Sequence, residues 1–149
     1  MAWKFVEGLT VADVAFEARG GTLEEMFESA AEATTATMVK DVASVKQLKS
    51  KKFLLREENE EKLLFEFLQK LVYYKDANLL LFSKYSVKIS KENKKDGSAM
   101  LKLSATLKGE KLNMKKHELL VDVKAVTWHK FSVQKASWGG WKASVILDV

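Results

Sequence analysis

Cysteine is absent from the 149 residues of this chain, and so is proline. Without thiols the protein cannot form disulfides, zinc–thiolate sites, iron–sulfur clusters or a cysteine nucleophile. Without proline, its turns have to be built by glycine, asparagine and aspartate. Histidine occurs only as His117 and His129. Two histidines this far apart, on separate predicted elements, are a weak indication of a metal site.

Long hydrophobic runs are also missing. No apolar run is longer than the four residues 79–82, whereas a membrane-spanning helix needs about 20. The first residues lack the apolar stretch of a signal peptide. We therefore expect a soluble, cytoplasmic protein with no membrane partner. Its 47% apolar residues are enough for one core, which predicts a single domain over residues 1–149.

Arginine is scarce, although the chain carries a net charge of +5. The basic residues are lysines except for Arg19 and Arg56, and many have acidic neighbours in the sequence. A positive balance is compatible with RNA or an acidic protein as a partner. Specific recognition of bases and phosphates favours arginine, so a solvated surface is the simpler interpretation of these lysines.

Catalytic signatures are lacking as well. There is no glycine-rich phosphate-binding loop and no serine in a nucleophile elbow. His117 and Glu118 begin like the helix motif of a zinc protease, but Val121 stands where the second histidine is required. We predict that no residue is catalytic and that the protein is not an enzyme.

Hydrophobic periodicity indicates two helices and several strands. Thr22 and Glu25 form a capping box that starts a helix ending near Met38. Asn59 is a good N-cap for a second helix, which carries an apolar stripe. Alternating patterns predict strands at residues 13–19, 46–56 (irregular), 80–91, 100–108, 121–135 and 141–149.

The predicted turns connect these strands mostly as hairpins. Residues 94–97 and 138–140 contain the glycines of two hairpin turns, and Gly109 is expected to break the strand before it. Residues 111–116 are predicted to form a short helical turn. This order predicts an α+β domain with a mostly antiparallel sheet and two main helices.

Three segments carry a resemblance to a known family. Residues 12–14 followed by 21–31, residues 123–129, and residues 141–149, which close on Asp148 and Val149, resemble the signatures of the archease family. Residues 116–118 also fit the segment before the central motif. The segments follow the family's order and cover nearly the whole chain.

The resemblance implies a function and a site. Archeases assist the GTP-dependent, RtcB-type RNA ligase of tRNA splicing by promoting its guanylylation and its multiple turnover. That ligase would be the partner here, with tRNA contacted indirectly. The resemblance further implies a divalent metal site formed by Asp13, Asp148 and the α-carboxylate of Val149. Oxygen ligands suit calcium, which we expect first, with magnesium or manganese as alternatives.

Other residues receive secondary roles. Lys124 matches the lysine of the central motif and is expected to contact the ligase, a nucleotide phosphate or RNA. His117, Thr127 and His129 are further candidates for accessory roles. The chain departs from the family at its N-terminal motif, where archeases usually read Asp-His-Thr-Ala-Asp. Asp13 keeps the second aspartate, but the first acid and the histidine are missing, and Glu7 is a candidate substitute.

Two other functions remain open from the sequence. The protein is alternatively an RNA-binding module or RNA chaperone that acts on tRNA through a lysine-rich surface. It is also compatible with a metal-dependent hydrolase of unknown substrate. RNA affinity that falls steeply with salt would favour the first, and turnover of a phosphoester by the protein alone would favour the second.

Overall fold

The computed structural model of the protein describes residues 2–6 and 13–149. The elements in these residues are β1 (Ala2–Val6), β2 (Asp13–Gly20), α1 (Leu23–Met38), β3 (Lys49–Glu57), α2 (Glu60–Asn78), β4 (Leu80–Asn93), β5 (Ala99–Lys111), β6 (Ala125–Lys135) and β7 (Trp141–Asp148). A short 3-10 turn, Val42–Ser44, follows α1. The predicted α+β class with two main helices is confirmed.

The strands form two antiparallel sheets, a division that the sequence did not indicate. A four-stranded sheet has the order β1-β2-β7-β6, and a three-stranded sheet has the order β3-β5-β4. Both helices contact strands of both sheets. One core cluster therefore joins the inner faces of the two sheets through the helices.

Helix α1 is enclosed on all sides, because none of its residues is exposed. Its cap matches the prediction: the amide of Glu25 donates to Thr22 Oγ1 at 3.1 Å. The carboxylate of Glu25 reaches back to the amide of Gly21 at 3.1 Å. Small residues allow close packing around the helix, and the buried Thr34 and Thr37 hydroxyls donate to backbone carbonyls one turn earlier. Burial of these polar side chains is thus compensated by hydrogen bonds.

Helix α2 has one buried face. Asn59 caps it by accepting a hydrogen bond from the amide of Lys62 at 2.9 Å, as predicted. The apolar stripe from Leu63 to Val72 is buried in the core. Leu79 caps the C-terminus of the helix in a left-handed conformation with φ of 55°. Within the described residues, no helix is long and apolar enough to cross a membrane.

The prediction that Gly109 breaks a strand is wrong. β5 continues through Gly109, which pairs with Phe82 on one side and Lys49 on the other. β4 is irregular between Phe82 and Lys84, and a Cβ at residue 109 would lie 1.8 Å from the carbonyl oxygen of Leu81. Glycine is needed here because the neighbouring backbone approaches too closely for a side chain.

The predicted strand 121–135 begins four residues later than expected, at Ala125. The amides of Leu120 and Lys40 bond to the carbonyls of Met38 and Glu118, both at 2.9 Å. Residues 118–121 therefore pair with the end of α1 instead of with β7. The predicted helical turn before them is present, since the amide of His117 bonds to the carbonyl of Asn113 at 2.8 Å.

The boundaries of other strands also differ from the predicted ones. β3 is a regular strand that starts at Lys49, and the hairpin strands β4 and β5 each extend beyond their predicted ends. β1 was not predicted at all. It is a five-residue edge strand next to β2, too short to show a clear alternation in sequence.

Candidate functional site

Asp13 and Asp148 are brought together by strand pairing. β2 begins at Asp13 and β7 ends at Asp148, and the antiparallel register places the two residues directly opposite each other. Paired residues of an antiparallel sheet have Cα atoms about 4.5–5.5 Å apart, with side chains on the same face. The two carboxylates therefore lie on one face at one end of the four-stranded sheet.

That face points away from the helices. The neighbouring positions Val145 and Leu147 are buried in the core, so Asp148 and its cross-strand partner Asp13 belong to the opposite face. Both aspartates are half-buried. Further along the same face, Glu17 is paired with cations, including Lys142 at 3.5 Å and Lys4 at 3.8 Å. The Asp13–Asp148 pair lies about 13 Å along the strand from Glu17, four residues at roughly 3.3 Å each.

Lys124 lies beside the aspartate pair. Its backbone amide donates to the carbonyl of Asp148 at 2.8 Å, and Asp148 also pairs with Ala125 across β6 and β7. The side chain of Lys124 is exposed, whereas that of the preceding Val123 is fully buried. The predicted lysine and the two predicted aspartates thus share one end of the sheet.

Helix α2 holds the chain that leads into β6. Gln69 Oε1 accepts a hydrogen bond from the amide of Val126 at 2.9 Å, and Lys75 Nζ donates to the carbonyl of Val123 at 2.7 Å. Lys75 also contacts Asp122, and Asp76 at 2.6 Å. These bonds fix the backbone on either side of residues 124–125.

Lys75 is a buried cation, with 6% of its side chain exposed. Burial alone would lower the pKa of Lys75, but the hydrogen bonds with Asp122 and Asp76 outweigh this and raise it. Sequence reasoning missed Lys75. A signal was present, because Lys75 follows Leu71 and Val72 at helical spacing and so falls on the buried stripe of α2.

His117 belongs to a different cluster. It is 2% exposed, and its Nδ1 accepts a hydrogen bond from the amide of Asn113 at 2.9 Å. The remaining ring nitrogen, Nε2, must then carry the proton that it shares with Glu110 at 3.1 Å. Both nitrogens are occupied in holding the loop after β5, so His117 acts there as a structural residue.

Glu110 is the centre of this cluster. Its carboxylate accepts from Lys116 Nζ at 2.6 and 2.8 Å and from the amide of Lys46 at 2.6 Å. Hydrogen bonds from Lys116 and from the Lys46 amide lower the pKa of Glu110 to about 2. The carboxylate is charged and well satisfied, and it joins the segment before β3 to the loop after β5.

The other two accessory candidates lie on β6. Thr127 pairs with Ile146, on the face of the aspartates, and its hydroxyl donates to the carbonyl of Ile146 at 3.0 Å. His129 is exposed in the irregular part of β6, between Thr127 and Ser132. Thr127 therefore supports the strand next to Asp148, while His129 sits beyond the regular pairing.

The oxygen ligands at the sheet end are of the type that a hard divalent cation prefers, but they are fewer than such a cation usually binds. Carboxylate oxygens are suitable ligands, but calcium takes six to eight oxygens. In residues 2–6 and 13–149, no three carboxylates or histidines come close enough to form a metal site. Val149 follows Asp148, and its side chain packs against the core. The candidate Glu7 lies outside the described residues.

The arrangement defines a small α+β domain with two helices, two antiparallel sheets and an acidic pair at one sheet end. The solution structure of protein 1598 from Methanobacterium thermoautotrophicum has the same fold, with a TM-score of 0.78, 31% identity and coverage of 99% of this chain and 98% of that one.

Sequence comparisons give the family. The profile of the Archease protein family (MTH1598/TM1083) matches residues 3–149. Protein archease of Pyrococcus abyssi is 35% identical over 93% of both chains, and that of Methanothermobacter thermautotrophicus is 38% identical over the same share. The chain belongs to the archease family. At the level of the family, this supports an accessory role in tRNA processing through activation of an RNA ligase.

Proposed function

We propose that this chain activates a GTP-dependent, RtcB-type RNA ligase in tRNA splicing. It promotes guanylylation of the ligase and its multiple turnover, and it does so as a partner without catalysing ligation itself. Family membership over residues 3–149 supports this proposal. The observation that carries it at the level of the site is the direct pairing of Asp13 with Asp148.

The working surface in this proposal is the acidic end of the four-stranded sheet. Like charges directly opposite each other across two strands repel each other, and a bound cation would offset that repulsion. Asp13, Asp148 and the α-carboxylate of Val149 would hold a divalent cation, calcium first and magnesium or manganese as alternatives. The cation would supply local positive charge at the contact with the ligase.

Lys124 has a separate role in this surface. Its side chain is exposed next to Asp148, where an ammonium group can contact a carboxylate of the ligase or a nucleotide phosphate. The bonds from Gln69 and Lys75 hold the backbone of this segment in place. A fixed backbone reduces the conformational entropy that is lost when the surface binds a partner.

A ligation assay tests the proposal. The purified ligase is given GTP and cleaved tRNA bearing a 2′,3′-cyclic phosphate, with and without a substoichiometric amount of this protein. Two products are measured, the guanylylated ligase and the joined tRNA per ligase molecule. We expect the protein alone to join nothing and to raise both products when the ligase is present. Equal turnover of the ligase with and without the protein would refute the assignment.

Metal binding is tested separately from activity. Calcium, magnesium and manganese are titrated calorimetrically into the chelator-treated protein, and the melting temperature is recorded with each. A ligand that binds only the folded protein raises its melting temperature. Heat of binding for wild type that disappears in Asp148→Asn supports the site. Identical titrations for the two proteins would remove the cation from the proposal and leave the ligase partnership to be judged by the ligation assay.

A further inference from the structure

The outer face of the three-stranded sheet is polar and basic. Between Ser50 and Lys108, strand alternation places fourteen residues of β3, β4 and β5 on the side away from the helices. These are Ser50, Lys52, Leu54, Arg56, Lys84, Ser86, Lys88, Ser90, Glu92, Met100, Lys102, Ser104, Thr106 and Lys108. None of them is buried. We call this set the basic face.

The basic face holds the charge imbalance of the whole chain. It carries five lysines and one arginine but a single acid, Glu92, which pairs with Arg56 at 2.9 Å and with Lys102 at 3.6 Å. The chain has 25 basic and 20 acidic residues. When the residues of the basic face are left out, the chain has nineteen basic and nineteen acidic residues. The net charge of +5 is therefore concentrated on one surface, although the lysines look evenly scattered in the sequence.

Cations and hydroxyls are arranged in rows across the three strands. The register gives the rows Ser50–Lys108–Lys84, Lys52–Thr106–Ser86, Leu54–Ser104–Lys88 and Arg56–Lys102–Ser90. Every row contains at least one cation and one hydroxyl group. With strands about 4.8 Å apart and same-face residues about 6.6 Å apart, the rows cover about 10 by 20 Å. A surface of this size can contact several phosphates of one strand.

We propose that the basic face binds the phosphate backbone of RNA. Lysine ammonium groups and serine or threonine hydroxyls are common phosphate contacts. The face has no aromatic residue on which bases could stack, and one arginine for planar base recognition. Binding is therefore independent of base sequence and strongly dependent on salt.

The composition of the face favours RNA over an acidic protein. Protein interfaces rely on a buried core of aromatic and apolar anchors, and Leu54 and Met100 are the two large apolar side chains here. Nucleic-acid interfaces are more polar and more positive. The choice of RNA rests on the proposed function, which places the protein next to tRNA. The surface itself rests on its charge and belongs to a different sheet from Asp13 and Asp148, so the two can act independently.

Two matched triple variants test the inference. Lys52, Lys84 and Lys88 are replaced by glutamine on the basic face, and the exposed Lys40, Lys115 and Lys130 are replaced by glutamine as the control. Both variants lose the same charge. Fluorescence anisotropy with labelled tRNA and labelled poly-uridine measures affinity between 50 and 200 mM salt. Melting temperatures verify that both variants are folded.

For wild type, we expect similar affinities for both RNAs and a linear fall of log affinity with log salt. The basic-face variant should bind at least tenfold more weakly. Its salt slope should be smaller by about 2–3, since each phosphate that a lysine neutralises adds about 0.7–0.9 to the slope. The control should keep the wild-type slope. Equal loss of RNA affinity in both variants would mean that binding depends on net charge alone, which would overturn the proposed site. Absence of RNA binding by wild type at 50 mM salt would overturn it as well.

Two further measurements separate this inference from the proposed function. Guanylylation of the ligase without RNA should be the same for wild type and the basic-face variant, because that step does not involve the basic face. If the variant instead loses binding to the RNA-free ligase, the face is a protein interface and the RNA assignment is wrong. If wild type fails to stimulate guanylylation while its RNA binding behaves as expected, the proposed function fails and the RNA surface stands.

Discussion

Two carboxylate sites in this protein differ in the charge of their neighbours. Glu110 lies within 2.6–3.1 Å of Lys116, His117 and the amide of Lys46, which together satisfy it. Asp13 and Asp148 are placed opposite each other across two strands, so each has a second acid as its direct cross-strand neighbour. Folding gains from the first arrangement, whereas two like charges placed opposite each other on paired strands repel.

The comparison teaches how to separate structural from functional acids in this fold. A carboxylate that accepts hydrogen bonds from two separate segments is explained by the stability that it provides. A pair of carboxylates that the register places opposite each other, next to the exposed Lys124, is instead a candidate for binding a ligand or a partner. The following predictions test this distinction, beginning with the largest expected effect.

The largest effect is expected from Asp148→Asn. The change keeps the shape of the side chain but removes one charge of the acidic pair, and we expect ligase activation to fall at least about tenfold, as for the loss of groups that support a metal site. Asp13→Asn should behave in the same way. The free energy of unfolding of the metal-free protein should stay within about 0.5 kcal/mol of wild type, because the shape of the side chain is kept. Turnover assays and denaturant titrations measure the two quantities.

Glu17→Gln is the matched control for both aspartate variants, because Glu17 lies on the same face but is already paired with Lys142 and Lys4. It should leave activation unchanged. Full activation by the Asp148→Asn protein would mean that the sheet end is not the working surface, and the proposed role of Asp13 and Asp148 would then be dropped.

Glu110→Gln should show the opposite behaviour. The amide has no charge and only one acceptor oxygen, so it cannot replace the ion pair with Lys116 together with the hydrogen bond from the Lys46 amide. We expect a loss of about 2 kcal/mol in the free energy of unfolding, within the range of about 1–3 for a buried group deprived of its partners. Activation per folded molecule should be unchanged. A loss of activation at full stability would show that the Glu110–His117 cluster has a functional role after all.

Lys75→Met should combine a smaller stability loss with a local effect. The methionine fills much of the space of the lysine stem but leaves the carbonyl of Val123 without its donor, at a cost of about 1–2 kcal/mol. The amides of Lys124 and Val126 should exchange hydrogen faster than in wild type. The control is Lys62→Met, also on α2, which breaks an exposed pair with Glu58 just before the helix and should leave these amides protected.

The stability of the protein should depend on Glu110 in a defined pH range. Its pKa is depressed in the folded state from an ordinary 4.5 to about 2, so its contribution is fully present above pH 4.5 and is lost as the pH falls toward 2. The difference in unfolding free energy between wild type and Glu110→Gln should therefore shrink across this window. A difference that stays constant between pH 5 and pH 2.5 would contradict the depressed pKa.

The smallest effect is expected from His129→Ala. The side chain is exposed in the irregular part of β6, and substitutions at such positions usually change stability by less than about 0.5 kcal/mol. We expect activation near the wild-type level. A large loss of activation with an unchanged melting temperature would show that His129 is a functional residue, like the two aspartates.

Much of the fold could be predicted because its signals are local. The caps at Thr22 and Asn59, the stripe of α2 and the turn at residues 94–97 depend on neighbouring residues only. Gly109 was misinterpreted because the reason for a glycine there is the backbone of Leu81, which is distant in sequence. The alternation at residues 121–123 was misinterpreted because these residues bond to the end of α1 and to the Lys75 side chain of α2.

The sequence by itself indicated the family and the two helices and made Asp13, Asp148 and Lys124 the candidate site residues, because periodicity and short signatures depend on residues that are close together in the chain. Tertiary structure alone decided that the strands form two sheets, that Asp13 and Asp148 are paired in direct register, that His117 is buried against Glu110, and that the excess lysines share one face. The physical reason is that strand register and helix packing join residues far apart in the chain. Charged side chains come together at a site, and buried groups gain their hydrogen-bond partners, only when those contacts form.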